Sequence, residues 1–178
     1  MKTAEFTTDQ IQNLILDKAV DRFGQYGFGK TTMAEIALDC GMSAGNLYRY
    51  FENKREIGIG CAQRFIGRAE TLLRTILKRT DLTPAQRLET FFLEKLRFTY
   101  NQIFDQPKIH ELVLYIYDER WDLVIHHVEV QYSFLSEILA EGKQKGEFDL
   151  AEVLETAKIL HAATTKFHDP NCMKGYSL

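Results

Sequence analysis

Hydroxyl, amide, phenol, guanidinium and ammonium groups crowd the segment from Thr31 to Lys54, in a spacing suited to holding a polyanion rather than breaking a bond. Thr31 and Thr32 stand just ahead of Glu35, where their hydroxyls and the free amides of a starting helix could clamp one phosphate. Lys54 opens a later helix, where its ammonium and the positive helix end together suit a second phosphate. Asn46 carries the paired donor and acceptor that can read adenine, and Arg49 the fork that can read guanine. Ser43, Ala44 and Gly45 are small enough to let a backbone approach a groove floor closely. Tyr48, Arg49 and Tyr50 occupy a surface that the apolar pair Leu47 and Phe51 leaves open, and exposed aromatics beside an arginine mark a binding face.

These groups need elements to position them. Ile11, Leu14, Ile15, Ala19 and Phe23 recur at three- and four-residue spacing after Thr8, the stripe of an amphipathic helix. It stops at the glycine-rich run Gly24–Gly29. Thr32 and Glu35 form a capping box that opens a short helix closed by Gly41, and Ser43 is placed to cap the next, which Leu47 and Phe51 anchor. Two short capped helices joined by a tight glycine turn over Thr31–Phe51 have the spacing of a helix-turn-helix. An αα-corner inside a larger bundle, with Tyr48 and Tyr50 half-buried as packing, has that spacing too.

Helical patterning continues to the end. Asn53 and Glu56 predict the start of a long helix through about Arg79, and Thr83-Pro84 the start of another reaching about Phe104. A short segment over Lys108–Tyr117 follows, then a long helix from about Glu119 to Lys145, broken at Gly146. Asp149 and Glu152 are expected to cap a last helix ending before Pro170. No alternating strand pattern or internal repeat interrupts the series, so the expected fold class is all-α.

Composition narrows the functional classes. With 45% apolar and 26% charged residues the chain reads as an ordinary globular protein, long enough to bury a core. No signal-peptide run or membrane-length apolar stretch is present, which predicts a cytoplasmic protein with no membrane partner. Cys40, Cys61 and Cys172 are odd in number and unpaired in spacing, as expected of reduced thiols. Net charge is −3, and residues 1–60 carry seven basic and eight acidic groups, so bulk charge argues mildly against nucleic-acid binding. Any such function must rest on arrangement.

Two motifs suggest other chemistry and fail on context. Gly24–Thr31 matches the phosphate-loop expression, but a helix rather than a strand precedes it. His110, His126, His127, His161 and His168 form no recognisable metal-ligand spacing, and no nucleophile–base pair stands out. No catalytic residue, metal or cofactor is therefore expected.

The stretch TTMAEIALDCGMSAGNLYRYFENKREI, with the first helix carrying Phe23 and Gly27, resembles the TetR family of bacterial repressors. Thr32, Ile36, Ala37, Gly41, Ser43, Leu47, Tyr48, Tyr50, Phe51, Asn53, Lys54 and Ile57 satisfy the family pattern over about 50 residues. The resemblance implies a three-helix DNA-binding domain over residues 1–52 and a helical-bundle ligand-binding and dimerisation domain over 53–178. It makes Tyr48, Tyr50 and Lys54 phosphate contacts and sets Ser43, Ala44, Gly45 and Asn46 at or beside base edges. Glu35 and Asp39 should then face away from DNA.

The implied protein is a homodimer on a pseudo-palindromic double-stranded operator, probing successive major grooves about 34–36 Å apart. A small-molecule effector would release it. The body is rich in aromatics, and Phe98, Phe104, Tyr115, Tyr117 and Trp121 are the expected lining of an apolar effector pocket. The alternative, supported by the mildly acidic N-terminal region, is a helical protein-interaction module that has lost DNA binding.

Overall fold

A computed structural model describes residues 7–103, 106 and 108–173. The described residues form eight helices and no strand. In order these are α1 (Thr8–Tyr26), α2 (Met33–Asp39), α3 (Ala44–Leu47), α4 (Lys54–Leu77), α5 (Pro84–Ile103), α6 (His110–Glu119), α7 (Trp121–Gln144) and α8 (Val153–His168). By packing, the chain divides into one unit of residues 1–64 and 105–120 and another of 65–104 and 121–178, a division that does not follow position 52.

The first unit is built on α1. Thr7 accepts from the Gln10 amide while Gln10 returns a bond to Thr7, a capping box one residue ahead of the apolar stripe. Ile15, Leu16, Ala19 and Phe23 are buried along one face, joined by Ile36, Ala37, Leu47, Ile57 and Cys61. Phe28, just beyond the helix, meets Phe23 edge-on at 5.1 Å and stacks on Tyr115 of α6 at 4.7 Å. Gly27 turns the chain with φ +95, and an added Cβ there would strike the Glu111 carboxylate. That carboxylate accepts from the Gly29 amide at 3.0 Å. Long-range contacts of this kind bring α6 into the first unit, which local periodicity does not reveal.

The second unit buries Leu73, Ile76 and Leu77 of α4 with Phe91, Phe134, Leu135, Ile138, Leu139 and Ala157. Burial of each large side chain contributes about 1.5–3 kcal/mol. Arg87 is buried among them, donating to the Leu77 carbonyl at 3.2 Å and pairing with Glu141, whose carboxyl is held down near 2 by that guanidinium and by Lys145.

One expectation fails near α8. Glu152 makes no side-chain cap to α8, so the anticipated Asp149–Glu152 pair does not form. Tertiary contacts place that segment instead: Lys143 donates to the Ala151 carbonyl at 2.9 Å, and the Phe148 ring occupies the space a side chain on Gly142 would need. The long α4 ends at Leu77, two residues short of Arg79.

Candidate nucleic-acid interface

Each element of the helix-turn-helix starts or stops on a local hydrogen bond. Thr32 caps α2, accepting from the Glu35 amide at 3.3 Å, while the Glu35 carboxylate accepts from both the Thr32 amide and hydroxyl at 2.8 Å. Those bonds lower the Glu35 pKa. Gly41, at φ +66, ends α2: its amide donates to Leu38 O and the Met42 amide to Ala37 O, both at 3.0 Å. This is the Schellman pattern that glycine's positive φ permits. Ser43 then accepts from the Asn46 amide at 3.2 Å and opens α3.

The regular part of α3 is shorter than the sequence suggests. Leu47 is its last residue, and Arg49 and Tyr50 continue as tighter turns donating three residues back. Leu47 is fully buried and fixes the segment to the core. Its outer edge is open: nothing stands within 4 Å of a Cβ added at Gly45. Gly45 and Arg49 are exposed, Tyr48 is 54% exposed, and Ala44, Asn46 and Tyr50 are half-buried. The Asn46 side-chain amide lies 4.0 Å from the Met42 sulfur, a weak contact that leaves it free to turn outward.

Thr31 departs from expectation. It is 2% exposed, and its hydroxyl donates to the Gly27 carbonyl at 2.8 Å, which removes that group from any phosphate clamp. Thr32 remains at the surface. Lys54 is half-buried and already engaged, donating to the carbonyls of Phe28 at 2.6 Å and Gly29 at 3.1 Å while its ammonium lies 4.9 Å from the Phe28 ring centre. Burial lowers its pKa, opposed by Glu111 and Glu35. An ammonium has three donors, so one remains for a ligand after the loop has taken two.

Arg22, to which sequence reasoning gave no role, sets the local charge of α2. From α1 its guanidinium bonds Asp39 through two nitrogens and reaches Glu35 at 3.5 Å. The Arg22 bond holds the Asp39 carboxyl below its ordinary range. The two acidic groups of α2 thus share one cation, which halves their local charge from −2 to −1. The signal available was Arg22 lying on α1 among charges otherwise read as solvated.

The expected effector residues are distributed across the two units. Phe98 meets Phe65 at 5.2 Å in the second unit, whereas Tyr115 is stacked on Phe28 and Tyr117 is half-buried in the first. Trp121 is 52% exposed at the start of α7, and Phe104 lies outside the described residues. Among the described residues no group of three or more His, Cys, Asp or Glu is placed to hold a metal ion, and no helix is long and apolar enough to cross a membrane. Burial pushes the Cys61 thiol up to about 12, which leaves it unreactive. The phosphate-loop look-alike is the end of α1 and the turn into α2, with Gly24 inside the helix.

Comparison with known proteins agrees with this geometry. Residues 15–58 match the profile of bacterial regulatory proteins of the tetR family, and residues 84–177 match that of the tetracyclin repressor-like C-terminal domain. The HTH-type transcriptional regulator YhgD of Bacillus subtilis is 28% identical over 112 residues, covering 63% of this chain and 54% of the relative. YerO of the same organism is 31% identical over 62 residues, 35% of this chain and 22% of the relative. The chain thus spans about half or less of the curated relatives it matches. A putative transcriptional regulator from Pseudomonas aeruginosa superposes with a TM-score of 0.78 at 15% identity, covering 100% of this chain and 86% of that one. The fatty acid degradation regulator FadR from Bacillus halodurans superposes at 0.70 with 20% identity, covering 93% and 87%. At such identities the structural likeness is one of fold. The profiles carry the assignment, since one of them alone spans more than half the sequence and the other falls on the capped helix pair: the chain belongs to the TetR family of bacterial regulatory proteins.

Proposed function

We propose that this protein is a cytoplasmic, homodimeric transcriptional repressor that grips a pseudo-palindromic operator with α2 and α3 and is released by a small effector with an apolar or aromatic body. The leading edge of α3 carries the reading: Gly45 opens on empty space between the Ser43 cap and Asn46, with Tyr48 and Arg49 exposed just behind. In this reading Ser43, Ala44, Gly45 and Asn46 meet base edges, Arg49 reads guanine, and Thr32, Tyr48, Tyr50 and Lys54 hold phosphates. The protein-interaction alternative drew on the acidity of the N-terminal region, and Arg22 offsets one of the two charges that Glu35 and Asp39 bring to α2. SmeT, whose fold this chain shares at TM-score 0.67 and 18% identity, is described as the repressor of a multidrug efflux pump in Stenotrophomonas maltophilia. Of the aromatic candidates, Phe98 is proposed to touch the effector from within the second unit.

The test is binding to a duplex selected from random sequence, followed across salt. Each phosphate neutralised should contribute about −0.9 to the slope of log affinity against log salt, so several contacts give a steep fall. A salt-independent affinity, or selection that enriches no palindrome, would overturn the reading.

The dimer is proposed to form on α8. Ile159 is 66% exposed and Phe167 58%, two helical turns apart, with exposed Ala163 between them on the same face. Burying this stripe against a second copy gives the apolar patch a partner. Ile159→Asp is expected to weaken self-association about tenfold or more, because a carboxylate would have to be desolvated at the seam. Sedimentation checks it, and an unchanged dimer would place the interface elsewhere.

A further inference from the structure

The second unit contains a buried polar cluster that the proposed DNA reading does not use. Lys95 of α5 is 5% exposed; its ammonium donates to the Gln131 carboxamide of α7 and lies 3.4 Å from Nε2 of His168 in α8. Thr99, Gln131, His161 and His168 are buried around it. His161 and His168 lie with ring centres 5.3 Å apart, and Tyr132 meets His161 edge-on at 5.2 Å.

The carboxylates in reach do not complete this cluster. Glu70 of α4 is bonded to His127 Nδ1 at 2.9 Å, and among the described residues no carboxylate forms an ion pair with Lys95. Asp169, beyond α8, attracts Lys95 only at longer range. Burial lowers Lys95 to about 7, His161 to about 4 and His168 to about 2, and His127 is lowered as well.

The bonding is also over-committed at one atom. His168 Nε2 faces the Lys95 ammonium and, at 3.0 Å, the Thr164 hydroxyl, which also lies 2.7 Å from the Leu160 carbonyl. A bare Nε2 has one lone pair and can accept from Lys95 or from Thr164 but not from both; a protonated one serves Thr164 and opposes the ammonium. Apolar side chains of similar volume often replace buried charges with no loss of stability, so an arrangement that keeps a buried ammonium out of ion-pair contact calls for an anion to complete it.

We infer that this cluster is an anion-binding site whose ligand is a small organic carboxylate, held by Lys95 with Thr164 and His168 beside it. Phe92 and Phe98, three residues either side of Lys95 on α5, would pack the ligand's apolar part; Phe92 already stacks on His168 at 6.5 Å. The inference deepens the effector reading and rests on it for the ligand's role, though not for its binding.

The test uses the full chain at about pH 7 with octanoate and phenylacetate as probes, against octanol and phenylethanol as their uncharged counterparts. By calorimetry the carboxylates should bind at least about tenfold more tightly than the alcohols, and Lys95→Met should erase the preference. Carboxylate affinity should also fall about tenfold between about pH 8 and about pH 9, because a neutral Lys95 must take up a proton to receive the anion. Unliganded Lys95→Met should melt at or above the wild-type temperature. Equal or absent binding of acids and alcohols, or a variant melting well below wild type, would overturn the site and make Lys95 structural. Operator release separates the two readings. Carboxylate binding without release leaves the site standing and sinks the effector role; release by the alcohols alone does the reverse.

Discussion

Gly45→Leu is expected to reduce operator affinity at least about 100-fold while leaving the melting temperature unchanged or slightly raised. The two halves of that result have separate causes. In the free protein the position is open, with nothing within 4 Å of a new Cβ, and its φ is not among the positive ones. A Cβ there meets no neighbour and points into open space, and leucine favours helix over glycine by somewhat under 1 kcal/mol. In the proposed complex the same side chain would stand where the backbone of α3 comes nearest the bases. Holding the helix out of the groove forfeits the contacts of Ser43 and Asn46 together, at about 1–3 kcal/mol for each good base contact. The variant should then bind selected and random duplexes almost alike, since phosphate contacts remain. Calorimetric melting beside anisotropy titrations decides it. A lower melting temperature would mean the site packs against protein, and undiminished specificity would remove α3 from the groove.

The helix-turn-helix was legible because its signals are local. Thr32 with Glu35, Gly41 with Leu38, Met42 with Ala37, and Ser43 with Asn46 are all bonds spanning three to five residues, within reach of pattern reading. What pattern reading missed depends on residues far apart. Thr31 looked available until the Gly27 carbonyl took its hydroxyl, and Tyr115 looked like pocket lining until Phe28 took its ring. The Asp149–Glu152 cap had the right spacing and lost to Lys143 and Phe148, which place that turn from α7 and from the turn itself. Lys95 passed unnoticed because a lysine within a helix reads as solvated. Its register was informative nonetheless: Arg87, Phe91, Lys95 and Thr99 follow each other at four-residue steps along the buried face of α5.

Lys54→Met should combine a loss of stability with a sequence-independent loss of DNA binding, which is the signature of a residue with two tasks. Methionine keeps an apolar stem near the Phe28 ring and removes only the ammonium. The Phe28 carbonyl, part-buried, and the Gly29 carbonyl then lose their donor, and an unsatisfied buried acceptor costs about 1–3 kcal/mol. That alone lowers the melting temperature and loosens the turn leading to the Thr32 cap. The third donor of the ammonium is the proposed phosphate contact, and its removal should reduce the steepness of the salt dependence by about 0.9 while weakening every duplex about equally. The slope separates the tasks. A variant that melts lower but keeps the wild-type salt slope would show that Lys54 only fastens the turn, whereas a reduced slope at wild-type stability would show that the two carbonyl bonds contribute nothing to the fold. Acting together, they would explain why a single ammonium at the start of α4 can both set the position of α2 and hold the backbone it lies against.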